Sequence, residues 1–121
     1  MENKIFKMEN INKIKTQEYI LLNQENELGV IALSKESFET IASITISEFK
    51  EVVFDEKSKH NAICKIKDNQ LIVNCEVTLL YGCVLNNVIK MMQEKIHQNI
   101  VEMTNYKPDI INIKVVGFSI K

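Results

Sequence analysis

The stretch Ala62-Ile63-Cys64-Lys65-Ile66-Lys67-Asp68-Asn69-Gln70-Leu71-Ile72-Val73-Asn74-Cys75-Glu76-Val77-Thr78-Leu79-Leu80 decides the fold of this chain. Its second half alternates, with Leu71, Val73, Cys75, Val77 and Leu79 on one face, the period-two signature of a strand with one side buried. Its first half alternates less cleanly, and a polar turn around Asp68-Asn69-Gln70 separates the two. A two-residue loop at either Asp68-Asn69 or Asn69-Gln70 pairs even positions of the first strand with odd positions of the second. Ala62, Cys64 and Ile66 then join the same buried face, so turn and pattern agree on a hairpin.

Working outward, the pattern turns helical after this hairpin. Leu85, Val88, Ile89, Met92, Ile96, Ile100 and Met103 fall within an arc of about 120°, while Lys90, Glu94, His97 and Gln98 point away. Seven apolar side chains make this helix the expected largest contributor to the core. Asn105 suits the left-handed residue that ends a helix, and Pro108 stops its continuation. Asp109 to Ile120 reads as a closing strand with Ile111, Ile113 and Val115 on one face.

Before the hairpin, Leu28 to Leu33 reads as a strand, and Ser34 as the N-cap of a helix with Glu36 at its positive end. Phe38, Ile41, Ala42, Thr45 and Phe49 form the inner stripe of that helix, with Ile44 and Ile46 outside its centre. Lys50 to Asn61 is a charged connection broken by Val52-Val53-Phe54, a short strand or a loop anchor. The order strand-helix-strand-strand-helix-strand predicts an α+β domain with two helices on one face of a small sheet, ferredoxin-like or KH-like. Residues 25–121 form this domain, and 1–24 a tail or an extra strand at Tyr19 to Leu22. The tail carries Lys4, Lys7, Lys13 and Lys15 among apolar residues without a coherent stripe.

The composition places the chain among ordinary globular domains, with 45% hydrophobic and 26% charged residues. No apolar run approaches the length of a membrane span, and Met1-Glu2-Asn3-Lys4 lacks a secretory signal, so a cytoplasmic location is expected. The net charge of −1 supplies no field for nucleic acid, and all fifteen basic residues are lysine, without arginine's bidentate fork.

Catalytic chemistry finds no foothold. Cys64, Cys75 and Cys83 show no CxxC spacing and are expected as reduced residues, the first two in the core, with no metal and no disulfide. Cys83, at a helix start, is the best-placed reactive thiol. His60 and His97 have no nucleophile or carboxylate at a readable spacing. Glu48, Glu51, Asp55 and Glu56 read as a solvated run. Gly29, Gly82 and Gly117 lie too far apart for a phosphate loop, and the GxxG clamp and aromatic RNP pattern of RNA-binding modules are missing. The chain is expected not to be an enzyme and to bind no cofactor, small-molecule substrate or nucleic acid.

Three segments carry a resemblance: Gly29-Val30-Ile31-Ala32-Leu33-Ser34 with Ile41-Ala42, Tyr81-Gly82, and Val101-Glu102-Met103-Thr104-Asn105 leading to Ile111-Asn112-Ile113-Lys114-Val115-Val116-Gly117. In this order they resemble the alkaline shock protein family, or Gls-type general stress proteins, over residues 28–118. The resemblance implies a non-catalytic domain of cell-envelope and stress homeostasis. Some members self-associate and are held at the membrane by an anchor protein, and others are encoded near fatty-acid synthesis genes. Phe49-Lys50-Glu51-Val52-Val53 departs from the family's Val-x-Gly-Val segment, and Asn105 replaces a common glycine. The function expected is that of a scaffold or adaptor acting through protein contacts and self-assembly, recruited to the inner face of the membrane by a partner. A KH-like RNA-binding module and a regulatory subunit of lipid-synthesis enzymes are the alternatives. Strict alternation leaves Ile72, Leu80, Val116 and Phe118 on the sheet face away from the helices, the expected interaction face.

Overall fold

The hairpin read from residues 62–80 is the centre of the sheet. In the computed structural model, which describes residues 17–23, 28–53 and 62–120, strands β1 (Tyr19–Asn23) and β2 (Ile31–Ser34) precede helix α1 (Lys35–Ser47). Strands β3 (Val52–Val53), β4 (Ala62–Lys67) and β5 (Gln70–Leu80) follow, then helix α2 (Leu85–Thr104) and strand β6 (Ile110–Ser119). The β4–β5 turn is Asp68-Asn69, both with positive φ and with Lys67 opposite Gln70. Asp and Asn tolerate that left-handed geometry better than other non-glycine residues, which selects this register over the one-residue alternative.

Strand β5 is shared by every other strand of the main sheet. β4 runs antiparallel to it over Gln70–Cys75, β3 antiparallel at Thr78–Leu79, and β6 parallel to it over Ile72–Leu80. Because β6 occupies one side of β5 along that length, β4 and β3 lie end to end on the other. The parallel pairing follows from the connection, since α2 carries the chain back across the sheet. The sheet is therefore mixed, and the fold is the α+β class expected.

Both helices supply the opposing layer. Phe38, Ile41, Ala42, Thr45 and Ile46 of α1 are buried, as are Val88, Met92, Ile96 and Ile100 of α2. They meet Ala62, Cys64 and Ile66 of β4 and Leu71, Val73, Cys75, Val77 and Leu79 of β5. The last turn of the α2 stripe is not in the core: Met103 is 70% exposed. α2 thus buries four residues against five from β5, and the largest share of the core does not come from this helix. A central strand is covered along its length, whereas the ends of a helix overhang. Ile46 is fully buried, a correction to its place outside the stripe centre. It lies four residues after Ala42 and eight after Phe38, one and two turns along the same side. Phe49 lies beyond the helix and is half-buried.

Ser34 caps α1, its hydroxyl accepting from the Ser37 N–H at 3.3 Å. Asn105 ends α2 at φ 61. β2 starts at Ile31 rather than Leu28, with Gly29 at φ 133, a conformation that favours glycine and breaks strand geometry. β1 pairs antiparallel with β2, and its Ile20 is buried in the common core, so this strand belongs to the domain. Residues 1–16, Phe54 to Asn61 with His60, Asp55 and Glu56, and the 24/25 boundary lie outside the described residues.

Candidate functional site

Thiols first: Cys64 and Cys75 face the core, and burial pushes both up to about 12. The Glu39 carboxylate adds to the shift at Cys64. Such thiols stay protonated and behave as small apolar side chains. Cys83 is half-exposed, and all three cysteines are free. His97 is exposed on α2. No group of three metal-ligating side chains comes together among the described residues.

The polar contacts that are buried serve the fold. Thr45 donates to the Ile41 carbonyl at 2.7 Å and accepts from Asn99 at 2.8 Å, which ties α1 to α2. The hollow above this pair is lined by Thr40, Ile44, Asn99, Glu102 and Met103. It is a helix-helix groove that also takes in Glu48, so its titratable groups are the two carboxylates Glu48 and Glu102.

The main sheet has two edges of opposite character. At β4, the Cys64 N–H donates to the Glu39 carboxylate at 2.8 Å, and the Ile66 carbonyl accepts from the Gln17 N–H at 2.6 Å. The Gln17 side chain also clamps the turn, accepting from the Asn69 N–H at 2.7 Å. At β6 the single side-chain contact to the outward backbone among the described residues is Gln93, which donates to the Ile111 carbonyl at 2.9 Å. Ile111, Ile113 and Val115 face the core yet are only half-buried, unlike their counterparts on β4 and β5.

The four residues expected as one interaction face are distributed differently. Ile72 and Leu80 are half-buried, while Val116 and Phe118 are 53% and 52% exposed. A β-bulge interrupts the β5–β6 ladder: Val77 pairs with Val115, but Thr78 pairs with Gly117, so Val116 is the extra residue. An extra residue shifts everything after it by one. Phe118 therefore lies opposite Leu79 rather than Leu80, and its ring meets Tyr81 edge-on with centroids 6.5 Å apart. The face before the bulge is more polar, with Asn112 donating to Asn74 at 2.9 Å between Ile72 and Ile110 on one side and Glu76 and Lys114 on the other. Strict alternation missed Tyr81, which is 74% exposed. Its signal was the aromatic residue just before Gly82, at the point where β5 ends.

The described residues thus form a two-layer α+β domain with protonated core thiols, an exposed His97 and an exposed aromatic pair. The chain belongs to the alkaline shock protein 23 family, described by a cell envelope-related function, whose profile matches residues 55–120, more than half of the sequence. This is the family that the segments between residues 28 and 118 resemble. No curated protein and no solved structure matches the chain. No helix among the described residues is long and apolar enough to cross a membrane.

Proposed function

We propose that this protein is a non-catalytic scaffold or adaptor of cell-envelope homeostasis that works through protein contacts and self-assembly. The observation that carries the reading is the Tyr81–Phe118 pair, two aromatic rings in contact and largely open to solvent. Aromatic side chains are enriched in protein interfaces because they bury a large area at small entropic cost. The pair stands where β5 gives way to α2 and β6 nears its end, with exposed Val84 and Ile120 close by in the chain. The protein acts at the cytoplasmic face of the envelope, brought there by a protein partner rather than by an anchor of its own described residues.

The test is complementation. In a strain lacking the protein, the wild-type gene restores resistance to envelope stress, and Tyr81→Glu with Phe118→Glu fails to do so while keeping its circular dichroism. A photo-crosslinking residue at position 118 captures a defined protein, whereas one at Glu94 does not. Full rescue by the double variant counts against the reading.

A further inference from the structure

We infer that the outer edge of β6 pairs antiparallel with the β6 of a second copy, centred on Ile113. The inference rests on the protein-contact reading above and names one surface through which self-assembly proceeds. β6 is a ten-residue strand without proline, and among the described residues it is hydrogen-bonded to a neighbouring strand on one side only. In a parallel pair, alternate residues of an edge strand turn both backbone groups outward. Gln93 reaches the Ile111 carbonyl from outside the sheet and so sets the phase: Ile111, Ile113 and Val115 present theirs to the open side. A long edge of this kind is a template for another strand.

The occupant follows from the opposite edge. Glu39 and Gln17 close β4, so a copy cannot add its β6 to the β4 edge of the next. Between the two long edges of the main sheet, the pairing that remains is β6 with β6, an isologous contact that closes as a two-fold dimer instead of running on as a fibre. A two-fold axis through Ile113 keeps each copy's helices on one side of the joined sheet. It places Ile111 opposite the partner's Val115, and Asn112 opposite the partner's Lys114. Moving the axis to Lys114 would set two lysines against each other. The bulge at Val116 ends the flat segment just beyond this span. Gln93 need not leave, because a carbonyl has a second lone pair. The apolar side chains of Ile111, Ile113 and Val115, half-exposed in one copy, gain cover from their symmetry mates. A net charge of −1 leaves little repulsion to overcome.

Sedimentation equilibrium on the full chain tests this. The expected species is a dimer. Ile113→Pro removes the outward N–H at the axis without touching the β5 ladder and returns the protein to monomer. Asn112→Lys sets two like-charge pairs across the axis and weakens the dimer about tenfold, whereas Asn112→Glu faces Lys114 twice and tightens it. Both substitutions lose the same bond to Asn74, so opposite shifts report the register and not general damage. A full chain that stays monomeric overturns the inference, as does a dimer that Ile113→Pro leaves intact or that both Asn112 variants move alike. Either result leaves the envelope-complementation readout at Tyr81 and Phe118 independent.

Discussion

On one side of β5 the sheet ends in β4, where a carboxylate from α1 takes the Cys64 N–H, the backbone of Gln17 takes the Ile66 carbonyl, and every core-facing residue is buried. On the other side it ends in β6, where the core-facing residues are half-buried and one glutamine reaches the outward backbone. Both strands pair with the same neighbour and face the same helices. What separates them is therefore not local propensity but what the rest of the chain lays against each. Among the described residues, the chain covers one edge with its own groups and leaves the other with a single glutamine contact.

The largest expected effect separates the edges by pH. Cys64 sits on β4 and Cys75 beneath it on β5, and β6 carries no cysteine. Unfolded thiols lose their protons near 9.0 and the folded ones near about 12. Between those values the unfolded chain binds fewer protons, so stability is full below pH 9 and falls as pH rises through 12. Urea melts from pH 8 to 11 are expected to show that decline, and replacing both cysteines with alanine to flatten it. A pH-independent midpoint in the wild type would break the distinction.

Truncation sharpens the contrast at neutral pH. Ile66→Ala on β4 is expected to cost about 2–5 kcal/mol, the range for a fully buried isoleucine. Ile113→Ala on β6 is expected to cost about 1 kcal/mol in the monomer, because part of its side chain already meets water. Equal losses in chemical denaturation would show that β6 is as enclosed as β4.

Glu39→Ala opens the closed edge by leaving the Cys64 N–H without its acceptor. Its expected cost is about 1–2 kcal/mol, together with concentration-dependent growth beyond the dimer, which the wild type does not show. The smallest effect belongs to Gln17→Ala, about 0.5–1 kcal/mol, since its side-chain bonds are exposed.

The sequence exposes the closed parts of the molecule better than the open ones. The buried alternation of β4 and β5, the Ser34 cap and the Asn105 stop are legible because each is a local pattern tied to one backbone geometry. Ile46 and Met103 are misplaced by a stripe drawn on an isolated helix, since where a helix overhangs its sheet depends on elements far away in sequence. The candidate surface suffers most. Val116 is an ordinary strand residue in every respect except that the partner strand has no place for it, and that one insertion moves Phe118 from a place opposite Leu80 to one opposite Leu79. The contrast between the edges is equally invisible, because Glu39 and Gln17 reach β4 from 25 and 49 residues away.

Strand β5 has a consequence in time as well as in space. Its even positions 70–74 are engaged by β4 and 78–80 by β3, and its odd positions by β6, so these amides are all kept from solvent only while every one of these neighbours is docked. Fraying of β6 alone releases one set, and fraying of β4 and β3 the other. Amide hydrogen exchange along a single strand then resolves into two interleaved clocks, each reporting how often a different side of the sheet opens.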